Sequence, residues 1–154
     1  MRSLPLYVLD TGILVYLIRQ NALGQHVELT YGLSGQPLRP LVCIVTHGEL
    51  LSLARQRNWA EAKRRRLTEL LENLVTVDIS RPDVLTAYAE LDVASQRHSD
   101  GARNMGKNDL WIAAVARVVD GTLLTTDRDF DHLHLKLIKR EYVDPELFRP
   151  AKRD

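Results

Sequence analysis

The chain has 154 residues, 45% hydrophobic and 27% charged, with a formal net charge of +1. That describes one ordinary globular domain with a full core, and it excludes a global electrostatic field as the source of nucleic-acid or membrane binding. The apolar run "GILVYLI" is far shorter than the ~20 residues a membrane span needs, and Asp10 interrupts the N-terminal apolar stretch, so neither a span nor a signal peptide is expected.

In chain order, "LYVLD" (6–10) reads as a strand buried on both faces, because it is short and continuously apolar. "TGILVYLIRQNALG" (11–24) reads as a helix stopped near Gly24, and "HVELTYGL" (26–33) as a second. Gly35, Pro37 and Pro40 mark a loop. "LVCIV" (41–45) is a strand. Its Cys43 is the chain's one cysteine; a buried structural thiol and a reducing cytoplasm are the expectation. Helices follow over 46–57 and 60–73, separated at Asn58–Trp59. "LVTVDI" (74–79) is a strand. Residues 80–98 form a helix with Ser80 as N-cap and Pro82 in its first turn. A loop over 99–107 leads to a helix over 108–120, a strand "GTLLTT" (121–126) and a last short strand over 134–140. The domain is expected to span 1–140, with 141–154 as a C-terminal tail. Strand–helix alternation at this spacing implies an α/β domain with a parallel sheet covered on both faces.

In a parallel sheet, residues just past the strand C-termini converge on one edge, where α/β proteins bind ligands. Acidic residues stand at those places. Asp10 closes the first strand, Glu49 lies one turn into the helix after the second, and Asp109 opens the helix over 108–120. Asp127 follows "GTLLT", with Asp129 two residues on. Each has a structural explanation. "THGE" (46–49) reads as a capping box. Asn108 can cap its helix, with Asp109 at the positive end. Asp127 and Asp129 can shape a turn. Together they are harder to explain, since two carboxylates ~4 Å apart repel by about 4 kcal/mol at an effective dielectric near 20. A divalent cation removes that penalty, and carboxylate oxygens suit Mg²⁺ or Mn²⁺. No cysteine or histidine stands at ligand spacing for zinc. Gly12 stands where a haloacid-dehalogenase-type site needs a second aspartate, and Asp10 lacks the neighbouring acid of a phosphoaspartyl receiver. No phosphate-binding loop, nucleophile elbow or dinucleotide fingerprint occurs.

The pieces "YVLDTGILVYLI", "VTHGELLSLARQR", "NDLWIAAVAR" and "GTLLTTDRDFDHL" occur in this order over residues 7–133. In them the chain resembles a PIN domain, and within that group the VapC-type ribonuclease toxins of toxin–antitoxin pairs. The resemblance implies a three-layer α/β/α fold on a parallel sheet of about five strands. It assigns the family's acids to Asp10, Glu49, Asp109 and Asp127, as catalytic residues and ligands of Mg²⁺ or Mn²⁺. Thr125 matches the family's Ser/Thr position. Asp129 matches a variable acidic position, and Thr11 and Asn108 would be supporting polar groups. The implied reaction is hydrolysis of RNA phosphodiesters by an activated water, leaving 5′-phosphate and 3′-hydroxyl ends. A homodimer and a cognate antitoxin are the implied partners. "GILVYLI" and "ELLSLA" offer more apolar helix surface than one sheet face needs, which suits such interfaces. The basic stretch 55–66 can hold an RNA backbone or be a solvated helix face. Trp111 is expected in the core, and Trp59 is open to a stacking role.

Overall fold

A computed structural model describes residues 4–148. Five strands form one wholly parallel sheet: β1 Tyr7–Leu9, β2 Leu41–Cys43, β3 Val75–Val77, β4 Thr122–Thr125 and β5 Lys139–Tyr142. Their order is β3-β2-β1-β4-β5. The helices are α1 Thr11–Arg19, α2 Ala22–Tyr31, α3 Ile44–Gln56, α4 Glu61–Glu72, α5 Pro82–Gln96 and α6 Lys107–Val118. The three-layer α/β/α architecture on five parallel strands is the expected one.

Side chains alternate across a strand, so neighbouring residues serve opposite cores. Val8, Cys43 and Leu123 pack with Val84 and Leu91 of α5 and Ile112 and Val115 of α6. Leu9, Val42 and Leu124 pack with Ile13, Leu14, Val27, Leu50 and Leu67 of the helices on the other side. The central strands carry apolar residues on both faces for this reason. Cys43 is fully buried, as expected, and unpaired.

Several boundaries differ from the sequence reading. The helix expected over 11–24 is two. Gln20 takes a left-handed conformation (φ 54°) that ends α1, and the Asn21 side chain accepts from Gly24 N at 3.0 Å to start α2. Gly24 is therefore not a stop. It sits where the two helices cross, and a Cβ there would collide with the Tyr16 carbonyl. Arg81, not Ser80, occupies the N-cap of α5, with Pro82 at the first position. α6 begins at Lys107 with Gly106 as N-cap, so Asn108 lies inside the first turn and is exposed.

The last strand comes later than 134–140. β5 pairs with β4 from Thr122↔Lys139 to Thr125↔Tyr142. Leu137 and Ile138, which made the earlier stretch look like a strand, instead pack against the core ahead of it. An edge strand with one neighbour needs no apolar alternation, and charged side chains discourage pairing with other chains. The last part of the expected tail, 149–154, lies outside the described residues.

Candidate metal-dependent active site

The C-terminal edge of the sheet brings the predicted acids together. Asp10 follows β1 and is the N-cap of α1; its Oδ1 accepts from Thr11 N at 2.8 Å. Its Oδ2 accepts from the Thr125 hydroxyl at 2.7 Å, across a fully buried contact. The same Thr125 oxygen accepts from Asp127 N at 2.9 Å. One hydroxyl thus ties the end of β1 to the turn after β4. Of the two adjacent threonines it is Thr125 that does this, since the Thr126 hydroxyl lies beside Gly12, 3.1 Å from where a Cβ would stand.

Glu49 does not close a capping box. α3 starts at Ile44, so Thr46 is inside the helix and fully buried. Glu49 Oε1 instead accepts from the Thr11 hydroxyl at 2.8 Å, and Thr46 Oγ1 lies 3.0 Å from Thr11 Oγ1. Thr11 has a single hydroxyl proton, and the carboxylate takes it. The Thr46 hydroxyl must then donate to Thr11, giving a directed chain from Thr46 through Thr11 to Glu49. Thr46 is the residue the sequence reading assigned to a cap; with α3 beginning earlier, no local signal marked it as part of this chain.

Asp109 stands in the first turn of α6 and faces the same edge. Among the described residues, Asp109, Asp127 and Asp129 offer oxygens that all lie within 4.8 Å of one another, the spacing of a cation site. Asp127 also accepts from Asp129 N at 2.8 Å, so the turn expected at this pair and the acidic grouping are one feature. Asp10 and Glu49 interact with this trio electrostatically. Asn108 lines a neighbouring groove with Thr11 and Glu49.

The crowding is visible in the proton affinities. Burial, opposed by the hydrogen bonds from Thr125 and Thr11 and reinforced by Asp127 and Glu49, lifts the Asp10 carboxyl from 3.8 to about 6. Burial together with the charges of Asp10, Asp127, Glu49 and Asp129 lifts Asp109 to about 7. Hard oxygen donors at this spacing, carrying charge that the fold by itself does not neutralise, fit a divalent cation such as Mg²⁺ or Mn²⁺.

Other expectations resolve away from the acids. Trp59 is 6% exposed and packed in the core, with Lys63 Nζ 4.1 Å from its ring centroid, so it presents no free face to a base. Trp111 packs on Tyr88 at the edge of the other core. In the basic stretch 55–66, Arg65 pairs with Glu61 and Arg66 donates to the Ile18 carbonyl, while Arg55 and Arg64 line a shallow groove between α3 and α4. The apolar side chains of α1 are buried or half-buried against the core, while Leu51 of α3 stays 56% exposed. No helix among the described residues is long and apolar enough to cross a membrane.

Comparison with known proteins agrees with this fold. No curated protein matches the chain. Among solved structures, VapBC2 from Rickettsia felis bound to a DNA fragment from their promoter contains a chain 23% identical, with TM-score 0.72, over 90% of this chain and 99% of that one. VapBC-1 from nontypeable Haemophilus influenzae gives 20% identity and TM-score 0.68 over 89% and 97%. VapBC-5 from Mycobacterium tuberculosis, of the VapBC family of toxin-antitoxin systems, gives 25% and 0.61 over 90% and 98%. The PIN domain family matches residues 7–135, a span that runs from β1 through the acidic turn after β4. With most of its length so matched and its acids gathered on one sheet edge, the chain belongs to the PIN-domain family.

Proposed function

We propose that this protein is a divalent-cation-dependent endoribonuclease, the VapC-type toxin of a toxin–antitoxin pair. The observation that carries the reading is the convergence of carboxylates from four separate segments on one edge, with Asp10 and Asp109 held above their ordinary proton affinity. A module that only binds RNA or protein gains nothing from acids that repel one another.

In this reading Asp10, Glu49, Asp109 and Asp127, joined by Asp129, hold Mg²⁺ or Mn²⁺. The bound cation supplies charge neutralisation at the scissile phosphodiester and acidifies the attacking water. Thr125 fixes the rotamer of Asp10 and, through Asp127 N, the start of the acidic turn. The Thr46–Thr11 chain fixes Glu49, whose second oxygen is left to orient water toward the phosphorus. Because water attacks, the RNA 2′-hydroxyl is not the nucleophile, and the products carry 5′-phosphate and 3′-hydroxyl ends.

The structural neighbours are toxin–antitoxin complexes, which supports a cognate antitoxin as partner. A cytoplasmic homodimer completes the reading, with exposed Leu51 among the residues available to an interface. The test is expression of the chain alone and as Asp10→Asn. Growth arrest by the wild type only, with Mg²⁺-dependent RNA cleavage by the purified protein, supports the proposal. Equal toxicity of both, or 2′,3′-cyclic phosphate ends, refutes it.

A further inference from the structure

A polar cleft of about 720 Å³ opens beside the acidic edge, between residues 98–105 and 128–136. Its size is that of a ligand site. Asp129 lines this cleft and also belongs to the acidic trio, so the two are continuous. Arg103, Arg128 and Lys136 line it too. Of its three acids, Asp129 faces the cation site and Asp131 pairs with Arg140 at 3.3 Å. Asp100 and Asp129, neither in an ion pair among the described residues, are left against three cations.

The cations are available and the walls are fixed. Arg128 is held by its Nε, which donates to the Tyr142 hydroxyl at 3.3 Å, and its guanidinium lies 5.1 Å from that ring's centroid; its terminal nitrogens have no hydrogen-bond partner among the described residues. Arg103 uses one terminal nitrogen on the Gly101 carbonyl. Lys136 has no ion-pair partner among the described residues. His132, 2.8 Å from the buried Ser95 hydroxyl, packs edge to face with His98, and together they brace the wall.

We infer that this cleft seats the backbone of single-stranded RNA beside the acidic edge, with Arg103, Arg128 and Lys136 taking its phosphates. The inference rests on the ribonuclease reading for its choice of substrate. Three cations against two acids outside ion pairs leave the cleft net positive, which suits a polyanion, and a cation bound at Asp129 would lead that polyanion to the acids. In the chain's other basic stretch, 55–66, Arg65, Arg66 and Lys63 are already engaged by Glu61, the Ile18 carbonyl and the Trp59 ring.

The test measures binding apart from cleavage. A fluorescein-labelled mixed-sequence single-stranded RNA is titrated with the full chain carrying Asp109→Asn, in Mg²⁺, over a range of salt. Arg103→Gln and Lys136→Gln are added singly and together; both side chains are exposed, and melting curves check the fold. Arg39→Gln, exposed just ahead of β2 at the opposite end of the strands, is the control. Each cleft substitution is expected to weaken binding about three- to tenfold and to reduce the log–log salt slope by about 0.7. The control is expected to change neither. Unchanged RNA affinity and slope in the double variant overturn the inference, also if those substitutions weaken binding of an acidic peptide instead. Cleavage by the protein without Asp109→Asn is assayed separately. Its failure would refute the ribonuclease reading, while the binding result would still decide the cleft.

Discussion

Replacing Asp109 by Asn removes one charge from the crowded edge and keeps the shape of the side chain. Asp109 is lifted from 3.8 to about 7 by burial and by its acidic neighbours. Keeping it ionised in the folded, metal-free protein therefore costs up to about 4 kcal/mol, at ~1.36 kcal/mol per pKa unit. The side chain is only partly buried, so solvent screens part of this, and a gain of roughly 1–2 kcal/mol is expected on substitution. For a domain of this length that is a rise of roughly 2–8 °C in Tm. The folded carboxyl holds its proton more tightly than the unfolded one. Its stabilising effect is present in full below 3.8 and is lost as pH rises through about 7. The amide does not titrate, so the advantage of Asp109→Asn is near zero at the acidic end and largest above neutrality. Calorimetric melting in EDTA across this range measures it. Mg²⁺ should then raise the Tm of the wild type more than that of the variant, reversing or narrowing the order. A variant no more stable than the wild type in EDTA above neutrality, or a gain independent of pH, would refute the argument from crowded charge.

Thr125→Val removes the donor to Asp10 and the acceptor for Asp127 N; about 1–3 kcal/mol of stability should be lost, read as a lower urea midpoint. Cation affinity, measured by calorimetric titration, should fall by about 10–100-fold, as for other losses of a group that orients a ligand. Gly24→Ala drives a methyl into the Tyr16 carbonyl where α1 and α2 cross, and a loss of about 1–3 kcal/mol in urea unfolding is expected. An unchanged midpoint would mean the helices are not so closely packed. With Trp111→Phe as background, Trp59 fluorescence should resist acrylamide and stay constant on adding RNA, because the ring is buried; quenching by RNA would restore the stacking role.

Much of the local order was legible from the residues. Continuous apolar runs marked the four inner or leading strands, and the loop residues marked most breaks, because those signals act within a few positions of the backbone. The placement of Asp10, Asp109 and Asp127 on one edge followed from parallel strands alone. Local signals also misled where two of them competed. Thr46 and Glu49 have the spacing of a capping box, but α3 starts at Ile44 and turns both side chains toward Thr11. Leu137 and Ile138 look like a strand and are core residues ahead of one.

Pairing between distant segments belongs to the tertiary structure. Asp10 and Thr125 are 115 positions apart, and their contact exists because β1 lies beside β4 in the sheet order. Which threonine turns inward depends on the strand register, Leu9 opposite Leu124, and no pattern around Thr125 and Thr126 encodes it. The same holds for the trio of Asp109, Asp127 and Asp129 and for the cleft that shares its last member. The residue types on this edge are written in the chain, whereas the distances between their oxygens follow from how five strands and their flanking helices bury two cores at once.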